Sequence, residues 1–186
     1  MIRLVTSNPL KALEISQALK PYGIGLKPEA IEIDEIQSLS IEAVVRHKVE
    51  QAYNLIKAPV LVDDTGIFFT GYKQFPGVLS RYVAMSLGFK GLFKLIKSGQ
   101  HAYFCSYIAF KASARAKPVV FRGVCRGRLV RTIRGPRKIT MPYDNIFIPT
   151  GDSRTFAEMG VTDKQKYDHR AKAVRLFAKY YQQHYL

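Results

Sequence analysis

A chain of 186 residues with 47% apolar and 23% charged side chains can bury the core of one well-packed domain, and its apolar runs are too short to span a bilayer. The first residues lack the basic, apolar and small-residue order of a secretory signal, so a soluble, cytoplasmic protein with no membrane partner is expected. The formal net charge of +15 calls for anionic partners, from a nucleotide to a nucleic acid.

Ile2, Leu4 and Val5 read as a short buried strand, and Leu10, Leu13, Ile15, Ala18 and Leu19 recur at helical spacing, so the chain opens on a strand, a tight turn and a helix. Asn8 is a good N-cap and Pro9 suits the first helical position, where no N–H is needed. Lys11 is then the third helical residue, at the positive end of the dipole, where a cation costs about 0.3–1 kcal/mol. A bound phosphate would reverse that sign. For Lys11 alone a solvated surface lysine is the commoner reading, since the chain has neither G-x-x-x-x-G-K-[ST] nor G-x-G-x-x-G.

Ile31, Ile33 and Ile36 suggest a second strand ending in Asp34 and Glu35. Ser40 caps a helix whose apolar face holds Ile41, Val44, Val45, Val49, Ala52, Leu55 and Ile56, with Glu42 in its first turn. Ala58-Pro59 ends it, and Val60-Leu61-Val62 begins a third strand buried on both faces. This alternation predicts an α/β sheet with crossover connections.

Residues 70–99 mix Gly and Pro with short helical patterns that pack over one edge. Long antiparallel strands follow at 102–110 and 119–134, then a short one at 145–148. A last helix from about 163 to 181 turns Ala171, Val174, Phe177, Ala178 and Tyr181 inward. Within 119–134, Arg122, Arg126, Arg128 and Arg134 share one face and Phe121, Cys125, Leu129 and Ile133 the other. A solvated face is the commoner reading of those arginines, and steering of a polyphosphate the second. Cys105 and Cys125 lie in strand-like segments without C-x-x-C spacing, which favours buried thiols over a metal site and leaves a single disulfide open. No linker or repeat divides the chain, so one continuous sheet serves two lobes.

Glu35, Asp63 and Asp64 fall at predicted strand ends flanking one helix, and the first strand delivers Ser7, Asn8 and Lys11 to the same edge. In open α/β sheets ligands bind at that edge. Carboxylates facing a lysine and a helix N-terminus suit a magnesium polyphosphate, with oxygen ligands for Mg²⁺ and positive groups for phosphate. Neighbouring acids alternate across a strand, so one of Asp63 and Asp64 reaches the site and the other supports it.

These residues resemble the inosine triphosphate pyrophosphatase family, also called Ham1-like, over nearly the whole chain. "TSNPLKALE" is similar to the family's S-N-x-x-K, "IDEIQ" to its acidic strand end, "VLVDDTGI" to its D-[ST]-G and "FPGVLSRY" to its P-G-x-x-S loop. "PYDNIF" is similar to F-G-[YW]-D-P-x-F, "TFAEM" is unchanged and "DKQKYDHRAKA" is similar to K-N-x-x-S-H-R. The resemblance implies an elongated mixed β-sheet flanked by helices, with two lobes and a central cleft, formed by residues 1–186 as one domain. It implies Mg²⁺-dependent hydrolysis of noncanonical purine nucleoside triphosphates (ITP, dITP, XTP) to the monophosphate and pyrophosphate, in a homodimer.

Carried over by position, Ser7, Asn8, Lys11 and Lys164 bind the phosphates. Glu35 and Asp64 hold the metal, with Asp64 activating water and Asp63 in support. Thr65 touches substrate near the acids, and Tyr143, Asp144, His169 and Arg170 frame the base. Met141 and Pro142 stand where the family has an aromatic residue and Gly, Asn145 where it has Pro, and Gln165 and Asp168 where it has Asn and Ser. Methionine packs on a purine more loosely than a ring, and proline removes a backbone donor, so base selectivity is expected to be weaker or altered. A nucleic-acid-binding module and an inactive nucleotide-binding relative are the rival readings. Acids at strand ends repel a phosphate backbone, so a nucleic acid is not the expected partner. The Maf-like pyrophosphatases are a nearer rival, against which "TFAEM" and "HRA" weigh.

Overall fold

The computed structural model describes residues 1–186. Strand β1 (Ile2–Val5) leads through a turn into helix α1 (Pro9–Leu19), and the Asn8 side chain accepts the Leu10 and Lys11 amides at 3.0 and 3.3 Å. These are two of the N–H groups that a helix start leaves without partners. Strand β2 (Leu26–Glu29) pairs parallel with β1. Helix α2 (Ile41–Ile56), capped by the Ser40 hydroxyl on Ala43 N–H at 3.2 Å, leads into β3 (Val60–Phe69), which lies parallel to β1 on its other side.

Strands β4 (Pro76–Gly77), β5 (His101–Lys111), β6 (Val119–Leu129) and β7 (Phe147–Pro149) pair antiparallel. The result is a seven-stranded mixed sheet of order β2-β1-β3-β5-β6-β7, with β4 beside β3. Helix α3 (Ser80–Leu95) bends at Gly88, whose φ of 56° suits glycine. The short α4 (Val161–Lys164) precedes α5 (His169–Tyr185).

Side-chain alternation along β3 divides the molecule. Leu61, Asp63 and Thr65 face α1 and α5, with Ile67 farther along the same side, while Val60, Val62 and Asp64 face α2. On the first face one apolar cluster gathers Leu4, Ile15, Phe110 and Phe177, and a second gathers Ile67, Phe104, Phe147 and Phe156. Between them Asp63, Thr65 and Ser106 form a polar layer across β3 and β5. Gly123, the cross-strand neighbour of Ser106, lets α5 begin against that layer, because a Cβ there would collide with the His169 carbonyl oxygen.

Several sequence expectations are corrected. Residues 30–39 form no strand. Ile31 and Ile33 pack on the α2 cluster, and the Gln51 side chain brackets the Asp34 backbone N–H and C=O at 3.2 and 3.1 Å in place of a neighbouring strand. Glu35 therefore lies on an irregular segment, and Asp63 and Asp64 lie within a ten-residue strand rather than at its end. β6 stops at Leu129, so Arg134 leaves the row of Arg122, Arg126 and Arg128 and pairs with Glu158 at 3.1 Å. Leu13 and Leu55, expected on apolar faces, are exposed, and Tyr53 is buried instead. The last helix is interrupted: Asp168 caps α5 by accepting from Ala171 N–H at 3.1 Å. Both cysteines are buried free thiols.

Candidate active site

β1 ends at Val5, in register with Val62, whereas β3 runs on to Phe69. Asp63, Asp64 and Thr65 therefore lie beside the open end of β1, where α1 begins. On the α1 and α5 side, Asp63 is almost fully buried with Lys11 Nζ 3.2 Å from one carboxylate oxygen and Arg170 Nε 3.1 Å from the other. Lys11, whose place in the first turn of α1 costs electrostatic energy, thus has a carboxylate partner from the neighbouring strand. Burial pushes the Asp63 carboxyl upward, but Lys11, Arg170 and Lys48 outweigh it and hold it well below the ordinary carboxylate range.

The same layer continues outward. The Arg170 guanidinium also bonds Glu14 and, at 3.2 Å, the Thr65 hydroxyl, which lies 2.9 Å from the Ser106 hydroxyl. The second Glu14 oxygen accepts from Lys164 at 2.7 Å, and Lys164 donates to Asp144 at 2.7 Å. Burial favours a neutral Lys164, yet Asp144, Glu14 and Asp168 overcome it and raise the ammonium above its ordinary value. Six charged side chains from α1, β3, α4, α5 and the turn at Pro142–Asn145 thus form one chain of ion pairs, Lys11–Asp63–Arg170–Glu14–Lys164–Asp144.

Asp64, on the opposite face, is different. Its carboxylate has no hydrogen-bond or ion-pair partner in the protein. Burial, together with the charges of Asp63 and Glu35, pushes it above the ordinary carboxylate value against the pull of Lys11 and Lys48. Glu35 reaches this neighbourhood from the irregular segment and pairs with Lys48 of α2 at 2.7 Å, while remaining 47% exposed. No three His, Cys, Asp or Glu side chains gather into a ready-made metal cluster, so Asp64 and Glu35 are the oxygen donors on offer. Bare or half-exposed carboxylates suit a hard divalent cation that keeps part of its water shell.

At the other end of the layer, the Tyr143 hydroxyl donates to Ser80 C=O at 2.9 Å, and Ser80 accepts Ile67 N–H at 3.0 Å, tying the Pro142–Asn145 turn to β3. The His169 ring stacks on Phe104 at 4.6 Å and 7°, with its Nδ1 2.9 Å from Asp168. Met141 is half-buried, its sulfur 4.0 Å from Lys164 Nζ. Ser7 stays exposed with no side-chain partner. A hollow of about 460 Å³ lined by Phe68, Tyr103, Tyr107 and Arg122 opens on the α2 face and contains none of the expected site residues.

Glu14, Lys48 and Ser106 were missed from sequence. Glu14 carried a signal, because it falls on the inward stripe of α1 beside Ile15 and Ala18, where an acid needs a buried partner. Lys48 had no comparable mark, and Ser106 was hidden in an apolar strand.

A Ham1 family model matches residues 2–180. The dITP/XTP pyrophosphatase of Hyperthermus butylicus is 37% identical over 186 residues, covering 99% of this chain and 96% of that protein. Among solved structures, the Staphylococcus aureus Ham1 protein superposes with a TM-score of 0.78 at 20% identity, covering 98% of this chain and 99% of the other. A HAM1 protein from Coxiella burnetii superposes with a TM-score of 0.75 at 26% identity, covering 98% of each chain. The chain belongs to the Ham1 family.

Proposed function

We propose that this protein hydrolyses noncanonical purine nucleoside triphosphates, dITP, XTP and ITP, between the α- and β-phosphates, releasing the monophosphate and pyrophosphate. The relatives' activity supports the reaction class, and the observation that carries the reading is the unpartnered Asp64 carboxylate beside Lys11, Lys48 and the start of α1. In-line displacement at phosphorus needs positioning and neutralised charge more than covalent help. Lys11, Lys48, the Asn8 turn and Ser7 supply donors and positive charge for the triphosphate.

Asp64, raised above the ordinary range, accepts the proton of the attacking water. Asp63 fixes Lys11 and Arg170, and Thr65 carries the polar layer toward the sugar and phosphates. A Mg²⁺ ion held by Asp64 and Glu35 would supply Lewis acidity and charge neutralisation. Tyr143, Asp144, His169, Arg170 and Met141 frame the base. Lys164 joins them in this reading, because its partners are Asp144 and Glu14 rather than the residues at the start of α1.

The reading includes one two-lobed domain over residues 1–186, a homodimer and a cytoplasmic setting. No helix is long and apolar enough to cross a membrane, and sedimentation velocity checks the dimer. The reaction is tested by measuring pyrophosphate and phosphate release from dITP, XTP, ITP, dUTP and ATP with and without Mg²⁺. Pyrophosphate from the oxopurines only when Mg²⁺ is present is the expected result. Phosphate as the sole product, or no turnover of any nucleotide, contradicts it.

A further inference from the structure

The geometry points to Lys138 as a specificity-determining residue of this chain, a side-chain donor for the oxo groups of 6-oxopurines. The inference rests on the proposed placement of the base beside Asp144. Lys138 Nζ lies 3.5 Å from the Asp144 oxygen that Lys164 holds at 2.7 Å. The two lysines differ in freedom. The Lys164 side chain is 3% exposed and tied to two carboxylates, whereas that of Lys138 is 24% exposed and has only this one loose contact. Lys138 is therefore the cation that can leave Asp144 when a ligand arrives.

Its loop is held in place for that task. Asn145, fully buried at a position where the family pattern has Pro, donates through its amide to the carbonyls of Arg134 and Pro136 at 2.8 and 2.9 Å and accepts Lys138 N–H at 3.2 Å. Met141 N–H in turn donates to Lys138 C=O at 3.1 Å. The asparagine, a departure from the pattern at the same turn as Pro142, staples residues 134–138 to the Pro142–Asn145 turn and keeps Lys138 next to Asp144. Proline in its place would have no side-chain amide to do this.

The chemistry separates bases. Hypoxanthine and xanthine present an N1–H donor and a 6-oxo acceptor, and xanthine adds a 2-oxo acceptor. A carboxylate accepts from N1–H, and an ammonium donates to an oxo group. Adenine reverses both, placing an unprotonated N1 against Asp144 and an amino group against Lys138, and such unpaired polar groups discriminate strongly.

The test compares wild type, Lys138→Met and Lys138→Arg by calorimetric affinity for IMP, XMP and AMP and by KM and kcat for ITP, XTP and ATP. Loss of a charged hydrogen bond predicts affinities for IMP and XMP about 10- to 100-fold weaker in Lys138→Met. KM should rise rather than kcat fall, AMP and ATP values should stay within about twofold, and Lys138→Arg should recover most of the loss. Equal losses for all three bases, or no loss for any, overturn the inference. A wild type that binds IMP and XMP but releases no pyrophosphate overturns the proposed reaction instead, and the affinities still decide the role of Lys138.

Discussion

Asp63 and Asp64 are adjacent in one strand, yet the two faces of β3 give them opposite environments. Asp63 meets a lysine and an arginine and is held below the ordinary range, while Asp64 has no protein partner and is pushed above it. Burial raises both and Lys11 and Lys48 pull on both, so the difference comes from Arg170 and from the direct ion pairs that Asp63 alone makes. A paired carboxylate organises its neighbours, whereas a bare one keeps its lone pairs for a water or a cation. The contrast teaches that adjacent acids in a strand can meet opposite environments, one paired and one bare, with the pleat deciding which is which.

The largest effect that would break this contrast is on turnover. Asp64→Asn keeps the shape but removes the proposed base, and pyrophosphate release from dITP should fall by at least about 100- to 10,000-fold. The same change should raise Tm, because a group whose folded pKa is raised loses stability as it ionises. In the wild type without Mg²⁺, the Asp64 carboxyl should titrate above an ordinary aspartate when followed by NMR. An unchanged turnover or a lowered Tm would erase the distinction between the two acids.

Asp63→Asn should do the reverse. Breaking a buried pair costs about 3–5 kcal/mol, or a Tm lowered by roughly 10 °C at this chain length. Because its folded pKa is depressed, the stabilisation from Asp63 is complete above the ordinary aspartate value near ~3.9 and is lost as pH falls through the folded one. Acid-unfolding curves of wild type and Asp63→Asn should therefore converge at low pH. Glu14→Gln, which weakens the bridge between Arg170 and Lys164 but leaves Asp63 and Asp144 on them, should cost about 2–3 kcal/mol in chemical denaturation. Smallest is Glu35→Gln: its half-exposed pair with Lys48 predicts a stability change below about 1 kcal/mol, so any strong rise in the Mg²⁺ needed for half-maximal turnover would mark Glu35 as a metal ligand rather than a surface acid.

The elements whose apolar residues repeat at one period were legible in the sequence: β1, α1 with its Asn8 cap, α2 with its Ser40 cap, the start of β3, and β5. The segment Ile31, Ile33, Ile36 reads as a strand, but Ile31 and Ile33 dock on α2, Ile36 is exposed, and a glutamine side chain satisfies the Asp34 backbone. β2, with the sequence LKPE, was invisible because an edge strand bearing a proline has no apolar pattern. The site was legible as residue types and illegible as pairings. Lys11 and Asp63, or Glu14 and Arg170, meet only after the crossovers and the return of α5, and no local spacing encodes those contacts.

The most direct test of the contrast is a calorimetric Mg²⁺ titration of wild type, Asp64→Asn and Asp63→Asn under identical buffer conditions. Binding by wild type and Asp63→Asn, with loss in Asp64→Asn, is the predicted result. Undiminished Mg²⁺ binding by Asp64→Asn would contradict the account.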